Sequence, residues 1–170
     1  MKHLGFIISI ILFCNNVYST DQIPDLLIIE GDTIYLISYP LEKLKLKHRP
    51  FDLTRRSAPN SGCWRGYQAV WKLKNGILIL EKILNCSDKN ERKKENIAEL
   101  FRKNNLGLEF IKNEIFAHWY SAELFITKRR INPLNQDRLW LYAAQLEESN
   151  ETDSFIRIKN GKVILNKYRT

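Results

Sequence analysis

Tyr67-Gln68-Ala69-Val70-Trp71-Lys72-Leu73-Lys74-Asn75-Gly76-Ile77-Leu78-Ile79-Leu80-Glu81-Lys82-Ile83-Leu84 holds two strand-like runs on either side of Asn75-Gly76. Asn-Gly is the dipeptide best suited to the two positive-φ positions of a type I′ turn, so this stretch predicts a tight antiparallel hairpin. A two-residue turn pairs Lys74 with Ile77, Leu73 with Leu78 and Trp71 with Leu80. Side chains alternate across a strand. Tyr67, Ala69, Trp71, Leu73, Leu78 and Leu80 therefore share the core face, while Gln68, Val70 and Lys72 face away.

The pattern recurs on both sides of this hairpin. Ser154 to Tyr168 places a turn at Asn160-Gly161, with Ile156, Ile158, Val163 and Leu165 on one face, and Leu26 to Tyr39 gives a third version around Gly31-Asp32. Ala117 to Thr127 and Leu139 to Gln145 are further strand candidates. One helix is expected between the two halves, from Asp88 to Asn104, with Ile97, Leu100 and Phe101 as its narrow apolar stripe and Asn105 and Gly107 as stops. The reading is a mainly β chain bordering on α+β, an antiparallel sheet or sandwich built from hairpins; a closed barrel and an open sheet both fit. With 170 residues, 44% apolar and 27% charged, and with 7 glycines and 5 prolines, the chain suits one globular domain. Those values exclude a disordered tail, a collagen-like chain and a polytopic membrane protein.

Residues 1–19 read as a secretory signal peptide. Lys2 supplies the positive start, Leu4 to Phe13 is apolar except for Gly5 and Ser9, and Val17 and Ser19 are small enough for cleavage after Ser19. The apolar run, about ten residues, is shorter than the roughly 20 that a bilayer requires. No membrane span is expected after processing. A retained anchor and a lipid-modified Cys14 are the alternatives, although Phe13 is bulkier than lipid processing prefers. The expected product is a single domain, 20–170, in the periplasm or secreted.

Net charge is +8, from 27 Lys+Arg against 19 Asp+Glu. The leader holds Lys2 and no acid, so the basic character belongs to the domain. It is densest at Lys43, Lys45, Lys47, Arg49, Arg55 and Arg56, a run interrupted by Asp52 alone among acids. Such a run is either a solvated connection between strands or a patch for an anionic surface or partner. An exported domain rarely meets nucleic acid, so no nucleic acid is expected. The expected partner is a protein or an anionic envelope component.

Only Cys63 and Cys86 remain in the mature domain, an even number in an oxidising compartment, which favours a disulfide over two buried thiols. The hairpin register places both on the core face, one diagonal step from direct opposition, with Gly62 and Gly66 to ease the approach. Closing a loop of this size stabilises by roughly 3 kcal/mol in the chain-entropy model.

Aromatic side chains carry the candidate binding site. Trp71 and Trp140 read as core, whereas Trp64, Arg65, Tyr67, Trp119 and Tyr120 stand near strand entrances, where a ring beside a guanidinium packs internally or stacks on a ligand. Lys45, Lys47 and Arg49 join this set as basic contacts. Catalysis has weaker support. His48 and His118 are the nominal base and acid of a nuclease-like hydrolase acting on an anionic polymer, but no spacing unites them. No metal-ligand spacing, Gly-rich phosphate loop or nucleophile elbow is present, so no metal or cofactor is expected. Asn85-Cys86-Ser87 and Asn150-Glu151-Thr152 match the N-glycosylation pattern.

The segments Ile23-Pro24-Asp25-Leu26-Leu27-Ile28, Cys63-Trp64-Arg65-Gly66-Tyr67-Gln68-Ala69-Val70-Trp71 and Ala117-His118-Trp119-Tyr120-Ser121-Ala122-Glu123-Leu124 resemble a group of small exported proteins of Gram-negative bacteria. The Cys-Trp-Arg-Gly-Tyr block is the most specific part. This resemblance implies export and one domain, and no activity. The group carries an acid where His118 stands, which weakens His118 as a catalytic residue. The functional expectation is an exported, non-catalytic binding or interaction domain; the alternative is the secreted hydrolase.

Overall fold

The computed structural model describes residues 22–51, 61–86, 93–111, 114–130 and 155–167. The leader, Arg55 and Arg56, the first turns of the expected helix at Asp88 to Arg92, the strand candidate Leu139 to Gln145 with Trp140, and the Asn150 glycosylation pattern lie outside them.

The elements in chain order are β1 (Asp25–Ile29), β2 (Asp32–Leu36), short 3-10 turns at Pro40–Leu44 and Ser61–Cys63, β3 (Tyr67–Lys74), β4 (Ile77–Asn85), α1 (Ile97–Lys103), β5 (Phe110–Ile111), β6 (Glu114–Phe116), β7 (Ala122–Arg130), β8 (Phe155–Lys159) and β9 (Lys162–Asn166). The chain is mainly β, as its hairpins predict. Asn75 and Gly76 take φ of 51° and 72°, Asn160 and Gly161 take 48° and 73°, and both expected hairpins form around them. A register shift in the second pairs Leu165 with Arg157 and leaves it exposed instead of on the face of Ile156, Ile158 and Val163. The first hairpin turns one residue earlier than expected. Ile29 pairs with Asp32, so Glu30 and Gly31, at φ 52° and 91°, occupy the turn, and Asp32 begins β2.

Pairing runs β3-β1-β2-β7-β8-β9-β4, and the β3–β4 hairpin closes this order into a barrel. All these pairings are antiparallel except β1 with β3, which run parallel from Leu26↔Val70 to Ile29↔Leu73. The β5–β6 pair adds to β4 beside its contact with β9. Inside the barrel, Leu27, Ile34, Leu36, Trp71, Leu78, Leu80, Leu124, Ile156 and Ile158 form one buried cluster, joined by Leu100 and Phe101 of α1. Each such side chain stabilises by about 1.5–3 kcal/mol on full burial.

One irregularity in the opening hairpin has wide effects. The expected register holds from Lys74↔Ile77 to Trp71↔Leu80, then shifts so that Val70 pairs with Lys82 and Ala69 with Ile83. Glu81 is the extra residue of a β-bulge. Without it, Lys82 would oppose Ala69 and point into the core. The bulge turns Glu81 outward and places Ile83 in the core cluster.

The same shift changes how the cystine forms. Cys63 and Cys86 are bridged, with Cα atoms 6.4 Å apart. They do not lie on the core face as the regular register implied. Tyr67 pairs with Asn85, so Cys86 lies just past the paired end of β4, and Cys63 sits in the second 3-10 turn. Gly66, at φ 79°, donates its N–H to the Cys63 carbonyl at 2.9 Å and folds that turn back toward β4. The two cysteines pack with Ile23 in a small cluster of their own.

Three further expectations change. Helix α1 is shorter than Asp88 to Asn104: Lys94 bridges to Leu84, and Asn96 caps the helix by accepting the Glu99 N–H at 3.1 Å. Ala117 to Ser121 is a turn, not the first half of a strand, with the Tyr120 N–H on the Ala117 carbonyl. That turn lets Trp119 and Tyr120, neighbours in sequence, both pack on the core, which a strand of period two forbids. Val70 and Gln68 do leave the core face, yet both are buried. Val70 joins Leu26 and Tyr35 in a second cluster, and Gln68 Nε2 donates to the Pro24 carbonyl at 2.7 Å.

Candidate functional site

Trp64 stands between two anchored residues. Cys63 on one side is locked in the cystine, and Arg65 on the other is only 2% exposed. Arg65 donates from one terminal nitrogen to Asp25 Oδ1 at 3.0 Å and from the other to the Ile23 carbonyl at 2.7 Å. Its guanidinium lies 3.9 Å from the Tyr39 ring centroid and 4.9 Å from that of Tyr67. Its Nε has no hydrogen-bond partner among the described residues.

Asp25, at 0% exposure, completes this buried cluster. Beside Arg65 it accepts from the Ala69 backbone N–H at 3.2 Å and from Trp71 Nε1 at 3.0 Å. Burial pushes the Asp25 carboxyl up from its ordinary value, against the Arg65 charge and the Trp71 and Ala69 donors, all of which favour the carboxylate. Every partner is a donor, which suits an ionised carboxylate, an acceptor only. Burial is the strongest single influence on Arg65 and works to lower its pKa, but the Asp25 charge and hydrogen bond together with Tyr67 and Tyr39 outweigh it, and the net direction is up. Tyr67 donates its hydroxyl to Glu42, and burial, then the Asp25 charge, push its pKa well above the usual tyrosine range. These groups tie β1, β3 and the first 3-10 turn together. Arg65 and Tyr67, both expected as binding residues, are thus spent on internal contacts.

Trp64 itself points outward, 54% exposed, and the Arg49 guanidinium lies 5.8 Å from its ring centroid. Lys45, Lys47 and Arg49 are exposed along the same basic segment, and none has an ion-pair partner among the described residues. The backbone of this segment is clamped to α1. The His48 N–H donates to Asn104 Oδ1, and Asn104 Nδ2 donates back to the His48 carbonyl, each at 2.9 Å. The structure therefore brings Trp64 to Arg49 and separates both from the other expected aromatic pair. Trp119 packs between Phe101 and Trp71, with ring centroids at 5.4 and 6.4 Å, and donates Nε1 to the Pro40 carbonyl at 3.3 Å. Tyr120 is buried and donates to the Glu123 carbonyl at 3.0 Å.

The two histidines have different partners. His118 Nε2 lies 3.6 Å from Glu109 and its Nδ1 3.4 Å from the Phe116 carbonyl, while His48 is held through its backbone. No hydrogen bond or ring contact joins them among the described residues. There, too, no group of three His, Cys, Asp or Glu is placed to hold a metal. No helix among the described residues is long and apolar enough to cross a membrane. The Asn85 glycosylation pattern is closed: the side chain is buried and accepts the Lys93 N–H at 3.0 Å, and Cys86 is in the cystine.

Two side chains that the sequence reading did not single out, Ile37 and Phe125, complete the surface. A groove of about 740 Å³ runs between the first 3-10 turn and the β2–β7 seam, with Ile37 and Phe125 on its walls, Tyr120 beneath, and Lys43 and Lys45 on its rim. Ile37 follows β2 with an apolar side chain where a strand end is usually polar, and this was the available signal. Comparison of the chain with protein-family models, with curated proteins and with solved structures finds no match.

Proposed function

We propose that this is an exported, non-catalytic binding domain that works in the periplasm or outside the cell and recognises an anionic envelope component through Trp64, Arg49, Lys47 and Lys45. One observation carries the reading: a tryptophan more than half exposed, under an arginine, sits between a disulfide-bonded cysteine and an arginine anchored in a buried ion pair. Exposing an indole gives up hydrophobic stabilisation, and fixing its base lowers the ordering cost of binding. The basic segment beside it supplies long-range attraction for negative charge. The disulfide suits an oxidising compartment.

The test is cosedimentation with anionic and with zwitterionic vesicles, comparing wild type with the Trp64→Ala, Arg49→Ala double variant. Salt-sensitive binding to anionic vesicles that the double variant loses, at an unchanged melting temperature, is expected. Equal binding by a folded variant would sink the reading. Arg65 is unsuitable as a test position, because its loss would leave Asp25 buried without its countercharge.

A further inference from the structure

We infer that the groove along the β2–β7 seam is a separate site for a small amphipathic anion, an acyl or aryl chain bearing a carboxylate or a comparable anionic head. This goes beyond the envelope-binding role and shares only Lys45 with it.

The size and the lining set the class of ligand. About 740 Å³ falls within the roughly 300–1,000 Å³ of small-molecule sites. Ile37 and Phe125 are 39% and 42% exposed, side chains large enough that open water is an unfavourable neighbour. The polar groups beneath them are already satisfied by one another. Ser38 Oγ donates to the Glu123 carbonyl and accepts the Phe125 N–H, and the Tyr120 hydroxyl also reaches the Glu123 carbonyl. The groove floor therefore offers apolar contact and little demand for hydrogen bonds.

The rim sets the sign of the head group. Of the two carboxylates there, Glu123 is paired with Arg157 at 2.6 Å, while Glu42 accepts the neutral Tyr67 hydroxyl and keeps its charge. Lys43 and Lys45 have no ion-pair partner among the described residues, so their two charges exceed the one left on Glu42 and the rim is net positive. Lys45 is also held at φ 48°, its N–H on the Glu42 carbonyl at 3.1 Å. A lysine gains nothing from that left-handed position, which glycine or asparagine occupies at less cost.

The geometry favours a dissolved amphiphile over a bilayer. The exposed apolar contact comes from two side chains, Ile37 and Phe125, flanked by charged ones, which is enough for one alkyl or aryl chain and little for a bilayer to hold.

Laurate is the probe, with dodecyltrimethylammonium as the cationic control of equal chain length, titrated by calorimetry against the full mature chain. Wild type is expected to bind laurate more tightly than the cation. Phe125→Ala should weaken laurate at least about tenfold through lost apolar contact. Lys45→Gly, which relaxes the backbone, should weaken it as well without lowering the melting temperature, and Trp64→Ala should leave it unchanged. No laurate binding by wild type, equal affinity for the two probes, or unaltered binding by both Phe125→Ala and Lys45→Gly would overturn the assignment. Anionic-vesicle binding that depends on Phe125 and not on Trp64 would also overturn it, by giving the groove to a membrane surface. Loss of vesicle binding in Trp64→Ala with laurate retained keeps the two proposals distinct.

Discussion

Two arginine–carboxylate pairs join neighbouring parts of the barrel wall, and they differ in almost everything except chemistry. Arg65–Asp25 is buried, with the two side chains 2% and 0% exposed; Arg157–Glu123 links β8 to β7 on the surface, at 47% and 32%. The distances are 3.0 and 2.6 Å, so length alone would rank the surface pair first. Solvent reverses that ranking. Water screens the exposed pair and replaces either partner when it is lost, whereas the buried pair has no substitute. The buried pair is also built into a network, because Asp25 accepts from Ala69 and Trp71 as well.

Substitutions can break this comparison. Asp25→Ala strands the Arg65 charge beside two tyrosine rings, and we expect a loss of about 3–5 kcal/mol in urea denaturation, the usual cost of leaving a buried charge unpaired. A loss below about 1 kcal/mol would mean that water enters the cluster and that the two pairs are alike.

Trp71→Phe keeps most of the apolar volume and removes one donor from Asp25 Oδ2. A loss of about 1–3 kcal/mol is expected in the same assay, the cost of an unsatisfied buried acceptor. If Trp71→Phe matches Asp25→Ala, the tryptophan ring and not the ion pair holds this side of the barrel.

Alkaline pH probes the buried region without mutation. Burial pushes the Tyr120 hydroxyl from 10.0 up to about 12, and Tyr67 is raised further. Between those values the unfolded chain loses its phenolic protons while the folded chain keeps them. Stability is therefore complete below about pH 10 and falls as pH rises toward 12. Absorbance of the ionised phenol near 295 nm should show a late fraction that appears only with unfolding. Titration of every tyrosine near pH 10 in a protein still folded by circular dichroism would contradict this.

The smallest effect belongs to the surface. Arg157→Ala should cost no more than about 1 kcal/mol, and salt should shrink the difference further, while Asp25→Ala keeps its full cost in salt. A large, salt-insensitive loss at Arg157 would erase the contrast.

Much of the fold was legible because it is local. The Asn-Gly turns and the alternation beside them follow from the steric map of each residue and its neighbours. Even the bulge at Glu81 has a signal, since Leu80-Glu81-Lys82-Ile83 breaks period two by placing two charged residues between apolar ones. The candidate site was legible only in part. Trp64, Lys45, Lys47 and Arg49 stayed outside, whereas Arg65, Tyr67 and Tyr120, chosen on the same grounds, went in. A one-dimensional pattern does not say which neighbour of a tryptophan meets Asp25 from forty residues away.

The two Asn-Gly turns show where the division falls. Both have the same dipeptide and nearly the same φ, and this was determined by the sequence itself, through the asparagine's tolerance of left-handed backbone and the glycine's missing Cβ. Their surroundings were decided by the tertiary structure. A Cβ on Gly76 meets nothing within 4 Å, while one on Gly161 falls 2.4 Å from the Phe116 ring and 2.7 Å from the Ala117 carbonyl. The Gly161 N–H donates to the Tyr120 carbonyl and its own carbonyl accepts the Leu78 N–H, closing β9 onto β4. Turn conformation depends on contacts between adjacent residues, which any chain carries along its length. Barrel closure, the buried ion pair and the groove depend on segments that meet only when the whole ring of strands has formed.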